Sequence, residues 1–165
     1  MRFRFRHLVA ATTGMTFSLI LLGVYTGAIG AGLACEARWP LCDGWMGLFP
    51  ATWPSFVEWF HRFVAMITGF AILGTAAAAW RGGYDKRIRY ASGLALAVLP
   101  VQVLLGANTI WFYGPTAQVL HHTAALTILV SLVATTAWAF ETRPAATETP
   151  TETEQESSTS EPVRL

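Results

Sequence analysis

Glu58, His61 and Arg62 open one long apolar stretch of the chain, and His121 and His122 open another. An ionisable group inside an apolar span costs about 3 kcal/mol, so each such residue is a functional candidate by default. Glu58 and His61 are three residues apart, which on a helix puts them on one face, one turn from each other. They can therefore act on the same bound molecule, the imidazole as a metal ligand or proton carrier and the carboxylate as a proton exchanger. Glu58 also has a structural explanation, since a negative charge near a helix N-terminus is favoured by the dipole. Arg62 can pair with Glu58 at the i,i+4 spacing or hold an acidic group of a ligand. His7 stands beside Arg4 and Arg6 and belongs to a basic flank.

These residues must be positioned by elements that live in lipid. Of the 165 residues 53% are hydrophobic and only 13% charged, half the roughly 25% of a soluble domain. Apolar runs at about 8–28, 56–80, 90–110 and 116–140 each meet the ~20 residues needed to cross a hydrocarbon core of ~30 Å. The fold class expected is all-α, an integral membrane four-helix bundle over residues 1–140. The first run has the basic start of a signal peptide but exceeds a typical signal core, and reads as a retained helix. Arg2, Arg4 and Arg6 precede the first run, and Arg81, Lys86, Arg87 and Arg89 lie between the second and third. Basic residues favour the cytoplasmic side, so both termini are expected there, with the 29–55 segment and the 111–115 turn outside. Trp39, Trp45, Trp53, Trp59, Trp80 and Trp111 fall near span ends, where indoles anchor at the interface.

With this topology the second and fourth spans both enter from outside, so His61 and one of His121 and His122 stand at similar depth. A lone histidine at a helix end is most simply an interfacial hydrogen-bonding group. Two at matched depth on facing helices suit the two axial positions of a haem. Cys35 and Cys42 are the only cysteines and fall in the first outer segment, where disulfides persist. A bridge between them would close a short loop worth on the order of 2–3 kcal/mol. It can act as a staple or as a redox-active pair. Two cysteines alone are a poor metal site.

Gln102, Asn108 and Thr109 in the third span and Thr116 and Gln118 in the fourth add polar groups to the same end of the bundle. Gly23, Gly27, Gly69, Gly74, Gly93 and Gly106 allow close helix approach. Pro100 is expected to bend the third span, with the Gln102 amide satisfying a freed carbonyl. Residues 141–165 are acidic and lack aromatics, and read as a disordered cytoplasmic tail. The net charge of +1 and the sorting of basic residues to span ends argue against a nucleic-acid partner.

Several segments together resemble the haem A synthases. They are Thr26-Gly27 with Gly30, Gly32-Leu33 and Cys35; Trp39-Pro40-Leu41-Cys42-Asp43-Gly44; Glu58-Trp59-Phe60-His61-Arg62; Gln102 to Thr109; and His121. The resemblance covers about residues 8–140, and it is the combined order of these segments that is specific. It implies a multi-pass protein of a prokaryotic plasma membrane that oxidises a methyl group of haem O to the formyl group of haem A, for terminal oxidases. It further implies that His61 and a histidine of the fourth span ligate haem b or the haem O substrate, that Glu58 assists the chemistry, and that Cys35 and Cys42 form a bridge needed for full function. The family pattern of a histidine followed four residues later by a small residue favours His121, with Ala125, over His122, with Leu126.

The family has eight spans in two homologous halves, and this chain carries one half's worth with no internal repeat. A homo-oligomer, at least a dimer, is the expectation that follows. With no flavin or nicotinamide fingerprint in the sequence, an external electron carrier is implied, and a haem O synthase is the natural supplier of substrate. The alternatives are a di-histidine b-type cytochrome that only moves electrons, an extracytoplasmic thiol-redox protein using Cys35 and Cys42, and a structural assembly factor.

Overall fold

A computed structural model describes residues 5–36 and 38–141. The tail expected at 141–165 lies outside the described residues apart from Glu141, which ends the last helix. The architecture is all-α: α1 spans Phe5–Ala28, α2 Trp53–Arg81, α3 Lys86–Trp111 and α4 Pro115–Glu141, with a single 3-10 turn at Ala31–Leu33. All four helices are long and apolar enough to cross a membrane.

The helices begin before the apolar runs do, because their starts are set by capping. Thr52 is extended (φ −129°) and its Oγ1 accepts from Ser55 N at 3.3 Å, with Pro54 in the first turn of α2. Asp85 caps α3 by accepting from Arg87 N at 2.9 Å. Gly83, at φ +63°, makes the short turn from α2 to α3 possible. α3 continues through Pro100 to Trp111.

Each helix packs its backbone closely against two others: α1 on α2 and α4, α3 on α2 and α4, while among the described residues no Cα atom of α2 comes within 8 Å of one of α4. The bundle is therefore a square with α2 and α4 on one diagonal. Its half nearer the 82–85 turn is filled by Ile72, Ala95, Ile128 and Leu132 and by buried threonines. Thr12 Oγ1 meets Thr75 Oγ1 at 3.0 Å, and Thr13 Oγ1 meets Thr136 Oγ1 at 2.9 Å. Thr12, Thr13 and Thr136 also lie 2.8–2.9 Å from the carbonyl four residues back on their own helices. Each of these four hydroxyls thus has a partner, and α1 is tied to both diagonal helices.

The 29–52 segment folds over the other end. Cys35 and Cys42 form a disulfide and are 1% and 0% exposed. Ser55 Oγ lies 2.8 Å from Asp43 Oδ2, 3.1 Å from the Ala34 carbonyl and 2.9 Å from Thr52 Oγ1, fastening the segment to the start of α2. Gly44 sits at φ +80°, where a Cβ would collide with the Phe49 carbonyl.

Candidate functional site

The expected site residues sort into three groups. His61 is the ninth residue of α2 and His121 the seventh of α4, about 12 Å and about 9 Å along their axes from the helix starts at ~1.5 Å per residue. They thus stand at comparable depth on the two diagonal helices. The Nδ1 atom of each ring is buried with no hydrogen-bond partner.

The two rings are seated alike. A Cβ added at Gly23 of α1 would stand 3.0 Å from His61 Cε1, and one added at Gly106 of α3 would stand 3.1 Å from His121 Cε1. Gln102, one turn before Gly106 on the same face of α3, brings its Nε2 to 3.2 Å from His121 Nε2. This differs from the sequence expectation that Gln102 would satisfy a carbonyl freed by Pro100. The reason is its direction: its side chain runs along the face that meets α4, and its Oε1 is buried with no partner. An amide N–H donating to Nε2 leaves the ring proton on Nδ1 and engages the Nε2 lone pair, so a metal at Nε2 would take the place of Gln102 as its partner.

His122 is engaged differently. Its Nδ1 lies 2.7 Å from the Gln118 carbonyl of its own helix, and its ring stands perpendicular to that of His121 with centroids 5.9 Å apart. Adjacent helical residues point about 100° apart, so only one of the two can face α3's glycine.

Glu58 and Arg62 form the third group. Glu58 is only 7% exposed, a depth at which a carboxylate requires a partner. Arg62 Nε supplies one, donating to Glu58 Oε1 at 2.9 Å. Arg62 Nη1 donates to the carbonyls of Leu41 at 2.7 Å and Arg38 at 2.9 Å, with that of Pro40 at 3.4 Å. All three carbonyls belong to the loop closed by the disulfide. Of the two partners expected for Arg62, the geometry provides Glu58, while Nη2 stays buried without a partner. The carbonyl clamp has no signal in the residue pattern, because it depends on how the bridged loop folds back. Gln102 and Gly106 were visible in the motif, but not as neighbours of His121.

Among the described residues no three His, Cys, Asp or Glu side chains converge on one point. A metal held by His61 and His121 would have to bring its remaining ligands with it, as a haem does. Two imidazoles on the diagonal of a square bundle, at like depth and with polar edges unsatisfied, fit that group.

Comparison with known proteins identifies relatives of the chain. Residues 52–160 match the family model for cytochrome oxidase assembly proteins. The chain is 34% identical over 137 residues to the haem A synthase of Bacillus licheniformis, covering 81% of this chain and 44% of that protein. It is 28% identical over 134 residues to the haem A synthase of Geobacillus kaustophilus, covering 80% and 42%. It is also 41% identical over 136 residues to a protoheme IX farnesyltransferase of Halobacterium salinarum, covering 81% of this chain but 29% of that one. The chain spans less than half the length of these curated relatives. No solved structure matches it. Four membrane-length helices and bacterial and archaeal relatives make it a multi-pass protein of a prokaryotic plasma membrane. The chain belongs to the cytochrome oxidase assembly protein family, the haem A synthase family that its motifs resemble.

Proposed function

We propose that this chain takes part in haem A formation, oxidising the methyl group of haem O to a formyl group, with His61 and His121 as axial ligands and Glu58 as the residue that exchanges protons at the reacting carbon. The observation that carries the reading is Glu58, a buried carboxylate one turn from His61 on the same helix and held in place by Arg62. A bound haem would supply the redox-active iron. His61 and His121 would hold it from the two diagonal helices, Gln102 would hold the His121 ring until the metal replaces it at Nε2, and Glu58 would take up or return a proton. Arg62 offers its free Nη2 to a propionate. Taking a methyl to a formyl group with oxygen from water (R–CH3 + H2O → R–CHO + 4 H⁺ + 4 e⁻) releases electrons and protons, so an external electron acceptor is part of the proposal.

The 29–52 segment is taken to lie outside the cytoplasm, which the formed Cys35–Cys42 bridge supports. The burial of both sulfurs supports the staple reading of that bridge over the redox-active one. Since the chain spans less than half of the named haem A synthases, a homo-oligomer, at least a dimer, remains part of the proposal.

The farnesyltransferase name of the haloarchaeal relatives suggests a different chemistry, but the chain covers only 29% of the first of them, and among the described residues no carboxylate cluster supports it. Transfer from a prenyl diphosphate needs Mg²⁺ held by clustered carboxylates. Among the described residues Asp43 and Asp85 stand at opposite ends of the bundle, and no three acidic side chains come together. The relatives' name instead supports a haem O-forming transferase as this chain's substrate supplier.

The test is expression of the chain with a haem O source, followed by pigment extraction and mass analysis. Haem A or its hydroxylated precursor is expected. Haem bound without either product would leave the b-type cytochrome reading, and absence of any haem spectrum would favour the thiol-redox one.

A further inference from the structure

Gly23 and Gly106 occupy equivalent places in two successive helix hairpins. Each lies five residues before the last residue of its helix, Ala28 in α1 and Trp111 in α3. Each faces the histidine of the helix that follows, and each meets that ring at its Cε1 apex, at 3.0 Å and 3.1 Å from where a Cβ would stand. Other helical glycines are not like this. Gly14, Gly27 and Gly74 have nothing within 4 Å of such a Cβ, and Gly69 meets only a leucine methyl at 3.7 Å. Glycine inside a helix costs about 0.5–1 kcal/mol relative to alanine, so at Gly23 and Gly106 that cost is matched to a specific close approach.

We infer that Gly23 and Gly106 are positioning residues: each provides on its own helix the recess that takes the imidazole of the next, and together they set where the two rings stand on the bundle's diagonal. The inference rests on the reading of His61 and His121 as the ligand pair. A methyl at either position pushes the ring by a few tenths of an ångström, because the ring apex has no flexible end to turn aside. Such a shift at an axial ligand is of the kind that weakens metal affinity by roughly 10-fold. The pairing also repeats a glycine helix followed by a histidine helix, so the two ligands are presented by the same local device.

The experiment uses the full chain in detergent, as wild type and as Gly23→Ala, Gly106→Ala and, for comparison, Gly27→Ala. Titration with haem b is followed by absorption and electron paramagnetic resonance. Gly27→Ala is expected to match wild type. Gly23→Ala and Gly106→Ala are expected to bind roughly 10-fold more weakly and to lose part of the low-spin bis-imidazole signal. Spectra and affinities indistinguishable from Gly27→Ala would overturn the inference. A second measurement needs no haem. Gly23→Ala is expected to lower Tm by about 2–4 °C against wild type but not against His61→Ala, and Gly106→Ala likewise against His121→Ala. A penalty that persists when the ring is gone overturns the inference, because the methyl then meets something else. If wild type binds no haem, the ligand reading fails, while this thermal cycle still decides whether the glycines seat the rings.

Discussion

Arg62 Nε donates to Glu58 Oε1 at 2.9 Å, and both side chains are nearly buried at the start of a membrane-length helix. A carboxylate so held can keep its place while exchanging a proton, and its orientation is shared with the loop that Arg62 also grips. Glu58→Ala is expected to keep haem binding and to lower haem A production at least about 100-fold, the usual scale for a lost proton-exchanging group. Extracted pigment, quantified by mass, reads both at once. Undiminished production would remove Glu58 from the chemistry.

Arg62→Ala should be more damaging to the fold than Glu58→Ala. It strands a buried carboxylate and releases the Arg38 and Leu41 carbonyls together. A loss of about 3 kcal/mol is expected, with new proteolytic cleavage between residues 38 and 47. Arg62→Lys should recover little, since an ammonium cannot serve a carboxylate and carbonyls in two directions as a planar fork does. Denaturation in detergent, with cleavage sites mapped by mass, checks both.

The two neighbouring histidines should part company. His121→Ala is expected to abolish the low-spin spectrum of the haem-loaded protein. His122→Ala is expected to preserve it, because that ring is already tied to the Gln118 carbonyl. Loss of the spectrum in His122→Ala with retention in His121→Ala would reverse the assignment.

With both sulfurs buried, the Cys35–Cys42 bridge should resist reductant in the folded protein and become alkylatable only on unfolding. Replacing both with serine is expected to cost about 2–3 kcal/mol, and haem A formation by the double variant should fall in proportion to its folded fraction. A bridge that mild reductant opens without loss of Tm would return the redox reading.

Much of this was legible beforehand. Uninterrupted apolar runs reveal helices in lipid, where the backbone has few other ways to satisfy itself. Their starts were missed by a few residues because Thr52 and Asp85, which fix them, lie outside the apolar windows. Glu58, His61 and His121 stood out by the cost of placing them there. Gln102 was assigned to Pro100, its sequence neighbour, because local spacing cannot show which helix a side chain will face. Gly23 and Gly106 were recognised as small, but smallness in a sequence does not say what the missing side chain makes room for. Arg62's grip on the loop was hidden for a similar reason, since main-chain carbonyls leave no mark in a sequence.

The threonine pairs that join α1 to α2 and α4 act as insulation. Thr12 with Thr75 and Thr13 with Thr136 spend their hydroxyls on one another and on the backbone, beside a plug of Ile72, Ile128 and Leu132. These hydroxyls do not titrate, and the apolar plug beside them offers no carboxylate or imidazole. On the proposed reading, proton exchange at Glu58 is therefore expected from the 29–52 face, the end of the bundle at which Glu58 stands.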